Sequence, residues 1–164
     1  MTMEAGDAVI LFALLLLPAL YTAWSDLKTM TIPNWVSLLL LTIFLVVGPV
    51  LYPLEQMGLQ IIVGLGVFAV GFLLNLTGRF GGGDAKFAAA LVLFVDPRDL
   101  GPFLQILAIM SLAGLVTHRL LGRLPLMQRQ TAGWQSWQET AYFPLGFSLA
   151  GALIFYLGLV AVTA

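Results

Sequence analysis

Gly81-Gly82-Gly83-Asp84-Ala85-Lys86-Phe87-Ala88-Ala89-Ala90-Leu91-Val92-Leu93-Phe94-Val95-Asp96 is the stretch on which the fold turns. Three glycines free the backbone of side chains. An acid follows at once, then a base two residues later. From Ala88 to Val95 every residue is apolar. As a helix, 84–96 rises only about 18 Å, against a membrane core of about 30 Å. Either this segment packs at the centre of a bundle, or the glycines already sit at membrane depth. Non-helical backbone is tolerated there only when it is buried in protein or lines a wet cavity. Both options put Asp84 near the membrane boundary. A carboxylate among apolar segments is costly, which makes it a candidate functional group.

The rest of the chain agrees with a membrane setting. Of 164 residues, 60% are hydrophobic and 9% charged, and the mean hydropathy is +1.01. Soluble domains carry about 25% charged residues. The expected fold is all-α: one polytopic transmembrane domain over 1–164, with about six helices near 8–25, 35–52, 59–77, 84–96, 102–121 and 142–163. No Lys or Arg precedes the first apolar run, Ala8 to Trp24, so that run is expected to stay as a membrane helix and not to be a secretory signal. Six passes place Lys28, Arg79, Lys86, Arg119, Arg123 and Arg129 on one side and Arg98 on the other. The positive-inside bias makes the richer side cytoplasmic and both termini extracytoplasmic. Five or seven passes would spoil that partition.

Composition also removes functions. There is no cysteine, hence no disulfide, thiolate nucleophile or cysteine-bound zinc. His118 is the single histidine, too few for a histidine metal site or a Ser/His triad. It is read as an interfacial residue. No metal and no cofactor is expected. A net charge of -1 gives no support to nucleic-acid binding. The lipid bilayer is the implied surrounding. Gly64, Gly66 and Gly71, Ala88 to Ala90, and Gly146, Ala150 and Gly151 are read as close-packing positions. Segment 119–141 is polar with apolar anchors at Leu124, Leu126, Met127, Trp134 and Trp137. It reads as an amphipathic stretch on the membrane surface, or as a guide for a substrate's membrane helix.

The acids divide by side. Glu4, Asp7, Glu55, Asp96 and Asp99 fall on the outer side, and Asp26, Asp84 and Glu139 on the inner. Asp26 ends the first segment, in Asp26-Leu27-Lys28, and Asp84 opens the fourth, in Asp84-Ala85-Lys86. Two carboxylates at one depth can share a proton, because close like charges do not both ionise cheaply. The charged member then takes a proton from water while the neutral one donates to a carbonyl oxygen, which is aspartyl peptide hydrolysis. The competing reading is structural: each acid caps a helix or pairs with its neighbouring lysine. Capping suits Asp84. It suits Asp26 poorly, since a helix C-terminus disfavours an anion. Lys28 and Lys86 read most simply as positive-inside anchors, or as charges supporting the pair.

The stretch Ser25-Asp26-Leu27-Lys28-Thr29-Met30-Thr31-Ile32-Pro33-Asn34, with Gly81-Gly82-Gly83-Asp84-Ala85-Lys86, resembles the paired signature of type IV prepilin peptidases, the GxGD aspartyl proteases. Phe143-Pro144-Leu145-Gly146 through Gly151 resembles the segment of their last helix. The resemblance implies a peptidase of the bacterial inner membrane that cuts the short basic leader from prepilins, after a glycine, at the cytoplasmic face. It makes Asp26 and Asp84 the catalytic pair. Gly81, Gly83, Lys86, Lys28, Pro33 and Asn34 become supporting motif residues. Larger members add a Cys-x-x-Cys zinc domain and methylate the new N-terminus. This chain looks like the short form associated with Flp (tight-adherence) pili, whose partner is a Flp/type IV pilin precursor, without methyltransferase activity. Thr29-Met30-Thr31 stands where basic residues are frequent.

Three other readings use the same acids. A small transporter would use them as proton or ion relays, but it predicts polar residues deep in several helices, and Asn75 and Ser111 are among the few here. A non-catalytic pilus or secretion assembly factor would not need an intact acid pair. A presenilin-like or signal-peptide-peptidase-like protease would carry more spans and place its first acid mid-helix.

Overall fold

The computed structural model describes residues 3–78, 80–139 and 142–164. Among these, all regular structure is helical: α1 Ala5–Thr29, α2 Asn34–Leu51, α3 Leu54–Leu76, α4 Gly82–Leu91, α5 Leu100–Leu121, α6 Pro125–Gln130, α7 Gln135–Gln138 and α8 Leu145–Thr163. Short 3-10 turns, Val92–Phe94 and Pro97–Asp99, link α4 to α5. Helices follow from the solvent: in hydrocarbon a chain must satisfy its backbone within itself. Prolines mark the starts. Pro33, Pro53 and Pro144 stand at the N-caps of α2, α3 and α8, where their missing N–H costs nothing. Pro18 lies inside α1, and Thr22 donates to its carbonyl at 2.9 Å.

Five helices are long and apolar enough to cross a membrane: α1, α2, α3, α5 with its leading turn, and α8. The chain is a polytopic membrane protein. Half of α8's apolar window, 50%, is buried, against 22% for α2 and α3 and 17% for α5. So α8 forms the centre, and α2, α3 and α5 present most of their surface to lipid. Ala8, Leu11, Leu15, Ala19 and Thr22 make the buried stripe of α1, at the three-to-four spacing of one helix face. This stripe packs on α8, which runs antiparallel: Gly146 lies against Asp26 and Gly158 against Phe12.

The short segment expected as a sixth pass is not among these five, yet it runs alongside α3. Gln56, at the start of α3, donates to the Asp96 carboxylate at 3.1 Å. Asn75, at its end, donates to the Phe80 carbonyl at 2.7 Å. Residues 80–96 therefore cover the depth of Gln56 to Asn75, about 28 Å. They manage it by adding a stretched 3-10 turn and extended residues to α4, since 3-10 backbone rises about 2 Å per residue and extended backbone over 3 Å. The termini consequently lie at one end of the bundle. At the other end stand Lys28, Lys86, Arg119 and Arg123, with Arg98 on the terminal side; Arg79 lies outside the described residues.

Close packing sets α4 against α3. A Cβ on Gly71 would stand 2.8 Å from the Ala85 Cβ, and one on Gly64 would stand 3.2 Å from the Ala89 carbonyl. The expectation of packing glycines holds for these and for Gly146, but not for Gly66, whose Cβ position is open, nor for Gly151, with only the Met110 Sδ at 4.0 Å. At the terminal end a buried network ties three elements. Asp96 accepts from the Arg98 amide at 2.8 Å as well as from Gln56. The Tyr156 hydroxyl donates to Asp99 at 3.0 Å and accepts from the Asp96 amide at 3.4 Å.

Candidate active site

Asp26 and Asp84 lie at the same end of the bundle, opposite the Asp96–Asp99 network. Asp26 belongs to the last turn of α1 and is 4% exposed. After it the chain reverses sharply: Met30 adopts the left-handed conformation at φ 51°, and its amide donates to the Asp26 carbonyl at 2.9 Å. Side chains lock this reversal. Ser25 donates to the Thr31 carbonyl at 2.9 Å, Thr29 donates to the Ser25 carbonyl at 2.8 Å, and the two threonine hydroxyls meet at 2.7 Å. The threonines that replace basic residues in this motif thus have a structural task.

The reversal delivers Ile32 between two helix starts. Its carbonyl is 3.3 Å from where a Cβ on Gly83 would be, and its side chain fills the space a Cβ on Gly146 would need. The same absent Cβ on Gly146 would fall 2.9 Å from Asp26 Oδ2. The Phe147 amide donates to that oxygen at 3.2 Å. Asp26, unfavourably placed at the C-terminus of its own helix, therefore sits at the N-terminus of α8. There the amides and the dipole favour an anion. Gly114 lets α5 approach the Phe143 and Phe147 rings, holding this end of α8.

Asp84 is in the first turn of α4, whose N-cap is Gly81. Its carboxylate folds back over Gly81 and occupies the space a side chain there would take. Gly81 and Gly83 are thus required for different reasons, one by Asp84 itself and one by the Ile32 backbone. Asp84 is half-buried, and Ile32, wedged against Gly83 on one side and against Gly146 beside Asp26 on the other, joins the surroundings of the two acids. The N-cap of α4 is a glycine and offers no side-chain cap of its own.

The remaining motif residues are placed around the pair without joining it. Lys86 donates to the Asn34 Oδ1 at 3.0 Å, tying α4 to α2. Lys28 lies over the Trp24 ring, 4.6 Å from its centroid. Pro33 starts α2. Sequence reasoning picked out Gly146 as a packing position and as part of a stretch resembling the family's last helix. It did not find the amide donor at Phe147 or the wedge of Ile32. The proline-glycine pattern at Pro144 and Gly146 is the one signal that pointed there. Segment 119–141 holds α6 and α7, and Trp137 stacks on His118 with centroids 4.2 Å apart.

A helical bundle of membrane-spanning length with two acids at one end defines a class, the polytopic membrane proteins with acidic residues at one bundle end. The family model for the type IV leader peptidase family matches residues 9–118, and the chain belongs to that family. The matched span holds both Asp26 and Asp84 and stops short of α8. No curated protein and no solved structure matches the chain.

Proposed function

We propose that this chain is an aspartyl endopeptidase of the bacterial inner membrane that removes the leader of a Flp or type IV prepilin at the cytoplasmic face. Asp26 and Asp84 form its catalytic pair. The observation that carries this reading is their placement at one bundle end, on either side of Ile32, in a chain of this family. The pair holds one proton between two carboxylates and titrates as a unit. The ionised member takes a proton from water as the water oxygen attacks the scissile carbonyl carbon. The neutral member donates its proton to the carbonyl oxygen. Collapse of the tetrahedral adduct breaks the C–N bond, and the departing amine takes up a proton. The basic residues at the same end fit a cytoplasmic location.

The contrast with the other buried acids supports the assignment. Asp96 and Asp99 accept hydrogen bonds that tie the turn to α3 and α8. Asp26 accepts from a neighbouring helix start and stands at the same bundle end as a second acid. The test is incubation of the purified protein in liposomes with a Flp-type prepilin, followed by mass spectrometry of the products. A single cut releasing the leader, with no methyl group added to the new N-terminus, is expected. An uncut precursor overturns the proposal.

A further inference from the structure

Two apolar grooves flank α4, and they differ in what they offer. The larger, about 590 Å³, runs between α2, α3 and α4 and has Lys86 and Asn34 at its mouth. The smaller, about 420 Å³, lies on the other flank, lined by Val63, Gly66, Val70 and Leu74 of α3, by Phe80 and by Ala88 of α4. Each residue turns a helix by about 100°. Ala88 therefore stands about 40° from Asp84 around α4 and Ala85 about 100°, whereas Lys86 stands about 160° away. The smaller groove borders the acid pair and the larger one faces away from it.

We infer that the smaller groove docks the apolar helix that follows the scissile bond of the substrate. This rests on the peptidase reading above. Five observations select this occupant and this groove. The groove is continuous with the place where the substrate backbone must lie, through Phe80, Ala85 and Ala88. Val63 to Leu74 spans about 17 Å, three helical turns from the acid-pair end towards mid-membrane. The lining carries no charge, which suits an apolar helix, whereas a lipid headgroup is served by the other groove with its lysine. Gly66 and Ala88 keep the walls low, so another helix backbone can come close. The groove is also open sideways, because α5 packs on α8 and not along α3.

Gly66 allows a clean test, since a Cβ there meets nothing within 4 Å, so a side chain can enter the groove without its first atom pressing on the bundle. The protein has no cysteine, so single cysteines can report proximity. In the Asp84→Asn background, which holds the precursor uncut, Val70→Cys is to be cross-linked to a cysteine in the first three turns of the prepilin's apolar segment, with Leu38→Cys in the larger groove as comparison. Separately, Gly66→Leu is to be assayed for cleavage against Gly58→Leu, which is equally unobstructed but outside the groove. The expected result is cross-linking through Val70→Cys and not Leu38→Cys, and a KM for the precursor raised about tenfold or more by Gly66→Leu alone. Cross-linking through Leu38→Cys only, no cross-linking at either position, or unchanged kinetics in Gly66→Leu would overturn the inference. Cross-linking at Val70→Cys with no cleavage by the native protein would count against the peptidase reading and leave the docking groove standing.

Discussion

The amide of Phe147 donates to the carboxylate of Asp26 across 121 residues of chain. That bond joins the end of α1 to the start of α8. It gives an anion a favourable site where its own helix offers none. The donor helix can come this close because residue 146 has no side chain.

Gly146→Ala should therefore damage the site directly. Its Cβ would fall 2.9 Å from Asp26 Oδ2 and also press on Ile32. Turning the carboxylate away should lower kcat/KM for prepilin by about tenfold or more, which corresponds to about 1.4 kcal/mol. Gly151→Ala, five residues further along α8, has only Met110 Sδ at 4.0 Å and should cleave normally. Equal activity of the two variants would contradict this role for Gly146.

Gly71→Leu should act through α4. The Ala85 backbone is 3.1 Å from where its Cβ would stand, so α4 must move, and Asp84 with it. Overpacking of this kind costs about 1–3 kcal/mol. Thermal unfolding in detergent should shift down, and cleavage should fall with it. A variant with native stability and native activity would show that α4 has more freedom than the packing implies.

Tyr156→Phe tests the opposite end. It removes a donor to Asp99 and an acceptor for the Asp96 amide. Losing a partner in a buried network costs about 1–3 kcal/mol. Stability should drop while cleavage, measured well below the unfolding temperature, stays close to native. Loss of activity with unchanged stability would assign this network a part in the reaction.

Chelators should leave cleavage intact. The chain has no cysteine and one histidine. Among the described residues no three His, Asp or Glu side chains gather as a metal ligand set. Inhibition by EDTA that zinc or magnesium reverses would contradict a metal-free acid pair.

The helices and the acid at position 84 were legible in the sequence because each carries its own local signal. An apolar run needs no partner to be recognised, and Asp84 follows three glycines. Asp26 was legible as one of a carboxylate pair, but its seat was legible only as a difficulty, an anion at the wrong end of a helix. Its resolution lies at Phe147, and no local pattern links positions so far apart. Gly64, Gly66 and Gly71 look alike in sequence. They differ because Gly64 and Gly71 face α4 while Gly66 falls on the flank, a matter of helical phase and neighbour placement. Asp96 and Asp99 read as outer-side acids, and their burial against Tyr156 depends on how α8 packs. Thr29 and Thr31 read as a departure from a motif, and only the reversed turn shows what they hold.

The central claim is that Asp26 and Asp84 act together on a peptide bond. The most direct measurement is prepilin cleavage by purified Asp26→Asn and Asp84→Asn, each shown by thermal unfolding to be folded. Asn keeps the size of the side chain but cannot carry the shared proton. The account predicts that leader release by each variant falls to about one part in a thousand of the native rate or less, in line with the usual contribution of about 10²–10⁴ from a single acid-base group. Processing at the native rate by either variant would contradict it.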